Sequence, residues 1–400
     1  MSSWVAGSAS TVFKKHPDRD FRDLAREAVV GALDDAGMSG DAVEAVYFGN
    51  CAMGSWGQGN IRGSVALGDL TREGILPERV PILNVEAGCA TGSAALHGAV
   101  QHVLAGGACA LAVGVEKVWI PHDMAETFKL FLGGIDLLHR EEWERFYADA
   151  DAGYAPHPAR IVFLDVHAMQ ARRHMERYGT TVEQLAAIAS KNHHNGTLNP
   201  KAQYRFEVPV ANVLADKPVV TPFTRSMCAP ISDGAAAVLV VNRALNDRCV
   251  RVRGIGMAGG TWRGLDDEDV TAVAARRAYA ASGLSARDVD VAEVHDANAF
   301  CELHATESLG FCGEGQGGAF AEGGATALHG SLPVNPSGGL ESKGHPLGAT
   351  GLGMVDELVA QLRGEAGPRQ VKEARVGLAH NAGGMVGFDE AVAAVTLLGG

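Results

Sequence analysis

The sequence predicts a layered α/β protein built from two related halves, and three observations carry that prediction. Strand-like and helix-like patterns alternate through the first half of the chain. One short pattern from that half returns 246 positions later. Glycine is in excess, 51 of 400 residues, as a chain with many tight strand-to-helix turns and close backbone approaches requires. The composition, 46% apolar and 20% charged, supplies one large core or two fused ones and excludes fibres, collagen and wholesale disorder.

The elements follow in order. From Phe21 to Ala36 the positions Leu24, Ala28, Val29 and Ala32 keep a helical period, Gly37 closes the segment, and Val43 to Phe48 reads as a strand. Ile82 to Val85 is strand-like, and Thr91 to Leu104 is a helix of small residues. Cys109 to Val118 is a continuous apolar run suited to a strand buried on both faces. Between Trp119 and about Thr221 aromatic and charged residues rise and loops lengthen, which reads as an insertion capping the sheet. Its helix from about Val162 to Tyr178 carries Arg172, Arg173 and Arg177. That basic side reads first as a solvated face, the alternative being a patch for an anionic cofactor. Asp233 to Val241 then returns to buried-strand character.

The second half restates the first. Ala32-Leu-Asp-Asp-Ala-Gly37-Met-Ser39, followed by Val43, recurs as Ala278-Tyr-Ala-Ala-Ser-Gly283-Leu-Ser285, followed by Val289 in the same register. Each copy ends a helix and feeds a strand, which predicts a duplication with halves 1–245, including the insertion at about 119–221, and 246–400. Duplicated halves place an active site where they meet.

Composition narrows the function classes. A net charge of −13 argues against a nucleic-acid groove, since phosphate binding relies on clustered Lys and Arg. No run approaches the roughly 20 apolar residues that span a bilayer, so no membrane partner is expected. The first twenty residues, with Lys14, Lys15, Asp18 and Asp20, lack the apolar centre of an export signal, and a cytoplasmic location is the default expectation. Seven cysteines, with no C-x-x-C pair and no Cys/His spacing of a zinc site, predict reduced thiols and no bound metal.

Four residues carry candidate chemistry. Asn84-Val-Glu-Ala-Gly-Cys89-Ala-Thr-Gly-Ser93 puts Cys89 between a strand and a helix N-terminus, where backbone N–H groups and the helix dipole favour a thiolate. Asn335-Pro-Ser-Gly-Gly339-Leu-Glu-Ser-Lys-Gly344-His345-Pro-Leu-Gly348-Ala-Thr-Gly351 presents His345 in a Gly/Pro-rich loop ahead of a helix, as a base would be presented. His295, in Glu293-Val-His295-Asp-Ala-Asn298, and His380, in His380-Asn-Ala-Gly-Gly384, each follow a strand.

At these residues, together with Asp233-Gly-Ala-Ala-Ala, the sequence resembles the thiolases over essentially its whole length. It resembles most the sterol-carrier-protein-x type, in which a His-Asp motif replaces Asn-Glu-Ala-Phe. The resemblance implies duplicated βαβαβαββ halves in an α-β-α-β-α layering. It also implies acyl transfer between a 3-oxoacyl-CoA and coenzyme A, in cleavage or in reverse Claisen condensation, through an acyl-enzyme on Cys89. His345 would deprotonate Cys89 and help hold the thioester oxygen, while His295 and His345 would stabilise the enolate. Backbone N–H groups of Cys89 and about Ala382 or Gly383 would form a second oxyanion site. Coenzyme A would be a co-substrate, with no resident cofactor. The expected partners are a second copy of the chain, as a homodimer or higher oligomer, and a small protein with an OB-fold and a zinc ribbon. The 119–221 insertion is expected to shape the acyl pocket and to contact coenzyme A.

One departure stands out. Common thiolases carry an acid/base cysteine where His380 stands, and some members of this subgroup supply it from the position of Ala297. Cys301 follows four residues later, one helical turn away. The expectation is therefore that His380 donates the proton. The gap leaves two alternatives open: a decarboxylating condensing enzyme like the ketoacyl synthases of the same fold, and a non-catalytic acyl-CoA-binding subunit. Gly313-Glu-Gly-Gln-Gly-Gly318 matches a dinucleotide fingerprint in spacing but opens no βαβ unit, there is no G-x-S-x-G elbow, and His193-His194 reads as a surface pair.

Overall fold

The computed structural model describes residues 2–157 and 160–400. Its strands are β1 (Ser3–Ser10), β2 (Ala45–Gly49), β3 (Ile82–Val85), β4 (Cys109–Glu116), β5 (Pro218–Val220), β6 (Phe223–Thr224), β7 (Gly234–Val241), β8 (Val250–Gly259), β9 (Val291–Glu293), β10 (Val376–Gly383) and β11 (Val392–Gly399). All but the β5–β6 hairpin join one sheet in the order β3-β2-β4-β7-β1-β8-β11-β10-β9.

That order shows the same pattern twice. β2 lies parallel between β3 and β4, and β4 is antiparallel to β7, which is antiparallel to β1. In the other half β9 is parallel to β10, and β10, β11 and β8 follow antiparallel. Even β3 has a counterpart, since Val334 bridges in parallel to Ala292 of β9. The repeated Gly37 and Gly283 both close helices in the left-handed region, with φ of 62° and 71°, where a Cβ would be strained. Each helix is followed by a short 3-10 turn and then by β2 or β9.

Helices complete the layers. Phe21–Ala36, started by an Asp20 capping box with Asp23, packs on β1 and β7, while Val270–Ser282 packs on β8 and β11. Between the sheet halves run the helices Thr91–Leu104 and Leu347–Leu362, in contact with each other. Leu347–Leu362 touches β4 and β7 on one side and β10 on the other. Hence its apolar residues are buried nearly all round, Leu352, Val355, Leu358 and Val359 among them. The order of layers is therefore α-β-α-β-α. Full burial of each such leucine is worth about 1.5–3 kcal/mol.

Small departures from expectation have local causes. β4 stops at Glu116 because the Val118 and Trp119 N–H groups donate to Asp233 Oδ1, at 2.8 and 3.0 Å, instead of to a strand. β2 begins at Ala45 because Val43 N–H closes the preceding turn on Gly40. The 119–221 segment is mostly helical, with helices at Met124–Leu132, Arg140–Ala150, Val162–Tyr178, Val182–Thr197 and Val210–Ala215. On the Val162 helix, Arg172 pairs with Asp151, and Arg173 and Arg177 both pair with Asp266, the arrangement of a solvated face. Among the described residues, no helix is long and apolar enough to cross a membrane.

Candidate active site

Cys89 sits on a turn locked from both sides. The Thr91 hydroxyl receives the Ala87 N–H at 2.8 Å and reaches Gly88 O at 2.6 Å, so the four residues before the helix form one unit. Gly88 has φ of 54°, and a Cβ there would stand 2.6 Å from Gly384 N. From the other side, a Cβ on Gly383 would stand 2.3 Å from Cys89 N. The end of β10 therefore presses directly on the nucleophile turn, and only glycine permits that approach.

The two halves meet at this turn, and each second-half histidine is held in one tautomer. His295 follows β9; its Nδ1 receives the Asn381 side-chain amide at 2.8 Å and the Ala382 N–H at 3.4 Å. Its proton therefore resides on Nε2, making that atom a donor. His345 precedes the Leu347 helix, and its Nδ1 lies 2.8 Å from Thr350 Oγ1. The Thr350 hydroxyl donates to Pro346 O at 3.1 Å, so it accepts from His345 Nδ1–H and leaves Nε2 with a free lone pair. The rings lie perpendicular with centroids 5.0 Å apart. One side-chain atom from each of Cys89, His295 and His345 falls within 4.8 Å of the others. That spacing would suit a cation, but the donor tautomer of His295 offers no lone pair on Nε2 to bind one.

Electrostatics differ from expectation at one point. Burial, reinforced by the charges of Glu116 and Glu86, pushes the Cys89 thiol up to about 12, against the thiolate that a helix start favours. Burial pushes His345 down to about 3 and holds His295 well below the usual imidazole value, with the neighbouring imidazoles adding to it there. The resting trio is a neutral thiol, a neutral acceptor and a neutral donor. The free imidazole lone pair of the trio is His345 Nε2.

The cavity over Cys89 is narrow, open to solvent and mainly apolar. Phe131, Ile161, Phe163 and Leu164 of the insertion line it together with His295, His345 and Met385, so the insertion shapes this pocket as expected. The structure does not bring His380 there. It lies behind His295, accepting the His295 N–H on Nδ1 at 3.5 Å and reaching Thr271 Oγ1 with Nε2 at 3.0 Å. With both nitrogens engaged, and burial pushing it down to about 4, it supports the first imidazole from the rear. Ala382 N–H is likewise committed to His295. Asp296 of the His-Asp motif holds the His345 loop, receiving Leu340 N–H and Glu341 N–H at 2.7 and 3.2 Å.

Three cavity residues escaped the sequence reading: His167, Cys228 and Glu390. His167 lies on the basic helix, where its arginines drew the attention, and its Nδ1 receives the Asn298 amide at 2.9 Å. Cys301 sits against that same nitrogen at 3.5 Å, outside the Cys89 cavity. The surface expectation for His193-His194 is corrected at His193. It is buried, stacked on Tyr204 and Phe206, whereas His194 is exposed and pairs with Glu207.

A half-buried thiol beside an imidazole acceptor, with a second imidazole as donor and an apolar cavity above, suits covalent acyl transfer. The thiolase N-terminal domain family matches residues 4–221, and a thiolase C-terminal-like domain matches residues 265–396. An acetyl-CoA acetyltransferase of Methanothermobacter thermautotrophicus is 39% identical over 394 residues, covering 96% of both chains. Sterol carrier protein 2 of Bos taurus is 38% identical over 398 residues, covering 95% of this chain and 70% of that one. The solved structure of an Ltp2-ChsH2(DUF35) aldolase shares the fold with a TM-score of 0.77 at 21% identity, covering 100% of this chain and 97% of that one. The chain belongs to the thiolase family, among relatives of the sterol-carrier-protein-x type. It is an acyltransferase.

Proposed function

We propose that this thiolase moves an acyl group between a 3-oxoacyl-CoA and coenzyme A through a thioester on Cys89. The observation that carries the reading is the pair of opposed tautomers around the sulfur. His345 Nε2 is the lone pair that takes the Cys89 proton, and His295 Nε2–H is the donor that holds the developing enolate oxygen. Protonated His345 then adds a second donor to the same oxygen. The Cys89 N–H, which reaches its own sulfur at rest, and a glycine N–H of the 383–384 turn supply the oxyanion site for the thioester carbonyl. His380 backs His295 and touches no substrate.

Coenzyme A acts as a co-substrate in this scheme. The acetyl group in the archaeal relative's name supports a short acyl chain, and the phenylalanine-lined cavity supports apolar acyl groups more broadly. A homodimer in the cytoplasm, with free thiols throughout, belongs to the same proposal, as does the division into halves 1–245 and 246–400, which the matched strand orders support. The DUF35 partner in the name of the similar aldolase supports a small OB-fold and zinc-ribbon protein as partner. The test is thiolysis of a panel of linear, branched and aryl 3-oxoacyl-CoA thioesters. Turnover of at least one class is expected. Inactivity across the panel, with carbon dioxide release from a malonyl thioester, would establish the condensing-enzyme alternative instead.

A further inference from the structure

The acyl-transfer chemistry needs a proton delivered to C2 of the departing acyl-CoA, and neither family position for the acid/base cysteine holds one. The cavity itself narrows the replacements. Cys228 lines it, but its thiol is directed to Thr224 O at 3.5 Å and burial pushes it far up. His167 has Nδ1 occupied by Asn298, and burial pushes it down to about 4, leaving it neutral and a poor source of a proton. Cys301 and His380 line a separate small chamber behind.

Glu390 remains as the carboxyl of this cavity; Glu86 lines a neighbouring one at Cys89, but its carboxylate is engaged by the Gly88 N–H at 2.6 Å. Glu390 also lines the rear chamber with His167, His304 and His380, and so stands where the two spaces join. Its backbone is pinned. Asp389 beside it accepts from Arg263 Nε at 3.2 Å, Val270 N–H at 2.8 Å and Thr261 N–H at 3.1 Å. Gly260 N–H donates to Ala391 O at 2.9 Å, and a Cβ on Gly260 would strike Glu390 O at 1.9 Å. A carboxyl on so fixed a hairpin, facing an apolar cavity with no ion-pair partner among the described residues, is costly to keep there unless it acts.

We propose that Glu390 is the acid/base catalyst of carbon–carbon cleavage and formation, in place of the missing cysteine. This rests on the acyl-enzyme reading above. Burial foremost, and then Asp269, raise its pKa above the usual carboxylate value, against His304 and Arg263. In cleavage the Cys89 sulfur bonds to C3 while its proton passes to His345. The C2–C3 bond breaks, its electron pair goes to the enolate, and the Glu390 O–H proton is delivered to C2. Coenzyme A then gives its thiol proton to the Glu390 carboxylate and attacks the acyl-Cys89 carbonyl. The Cys89 thiolate departs and recovers its proton from His345. Protons and electrons balance over the cycle.

The experiment compares wild type, Glu390→Gln and Glu390→Asp in two assays: acetylation of Cys89 by acetyl-CoA, read by intact mass, and exchange of acetyl-CoA methyl protons into deuterated water alongside thiolysis. For Glu390→Gln the expected result is that Cys89 still becomes acetylated on long incubation, more slowly because coenzyme A leaves without the carboxyl proton, while thiolysis and methyl exchange are both reduced about 100-fold or more, in the range of a lost general acid. Glu390→Asp recovers part of both and shifts the pH profile. Glu390→Gln with thiolysis within a few-fold of wild type would overturn the proposal. If Glu390→Gln misfolds by circular dichroism, Glu390→Asp decides: an unchanged pH profile overturns the proposal and a shifted one supports it. A wild type that fails to acetylate Cys89 would instead overturn the acyl-enzyme reading.

Discussion

Gly49-Asn50 at the end of β2 and His295-Asp296 just beyond β9 are equivalent pairs, 246 positions apart, and they do different work. β2 closes on Gly49, and Asn50 follows it. Asn50 is fully buried, donates to Val115 O and Glu116 at 2.8 Å each, and accepts Met53 N–H at 2.9 Å. After β9 come His295 and Asp296. Asp296 is equally buried and likewise gathers backbone N–H groups, but the residue before it is an imidazole aimed at the nucleophile. One frame thus serves twice: a buried polar side chain fixes each turn. The first half then contributes the sulfur, from the next strand end, and the second half contributes both rings. The two turns share the kind of side chain that holds the loop and differ in the residue before it.

Substitutions can break or sharpen that contrast. The largest effect is expected at the first half's contribution: Cys89→Ala should lower thiolysis by about 10⁴-fold or more, as loss of a nucleophile does, measured as kcat/KM with the best thioester of the panel. His345→Ala, removing the acceptor, should cost about 10³-fold, within the range of a positioned base. His295→Ala, removing one oxyanion donor, should cost about 10²-fold in kcat with little change in KM. The structural partner behaves otherwise: Asn50→Ala leaves buried backbone groups unpaired and should cost about 2–3 kcal/mol of stability, read by denaturant unfolding, while a folded fraction still acylates. Equal losses of stability at Asn50 and His295 would erase the contrast.

The ionisation of the site gives a finer prediction. With Cys89 pushed up to about 12 and His345 down to about 3, no thiolate–imidazolium pair exists at neutral pH. The thiolate fraction should therefore rise tenfold per pH unit below the thiol pKa, with no shoulder in the acid range. Iodoacetamide inactivation should increase steadily from pH 6 to 9, and a plateau beginning near pH 6 would contradict the neutral trio.

Much of this arrangement was legible in the chain. The helices Phe21–Ala36, Thr91–Leu104 and Val162–Tyr178 were readable because helical period is local, and a left-handed glycine, Gly37 or Gly179, closes the first and the third. Cys89, His295 and His345 were readable as motif residues for the same reason. What escaped depends on remote packing. The Cys89 thiol is raised because Glu116 and a cavity wall from the insertion surround it, which outweighs the helix start visible in the sequence. His193 is buried because Tyr204 and Phe206 fold back on it. His380 occupies the family's cysteine position, yet His295 lies between it and the cavity, and Glu390 gains its place only through a hairpin fixed by Arg263 and Gly260.

The central claim is that acyl groups pass through Cys89, and intact mass after brief incubation with acetyl-CoA in the absence of free coenzyme A tests it most directly. The account predicts a single acetyl adduct on the native protein that maps to Cys89, disappears on addition of coenzyme A, and is missing in Cys89→Ala. An adduct that persists in Cys89→Ala, or a native protein that turns over 3-oxoacyl-CoA with no adduct at all, would contradict it.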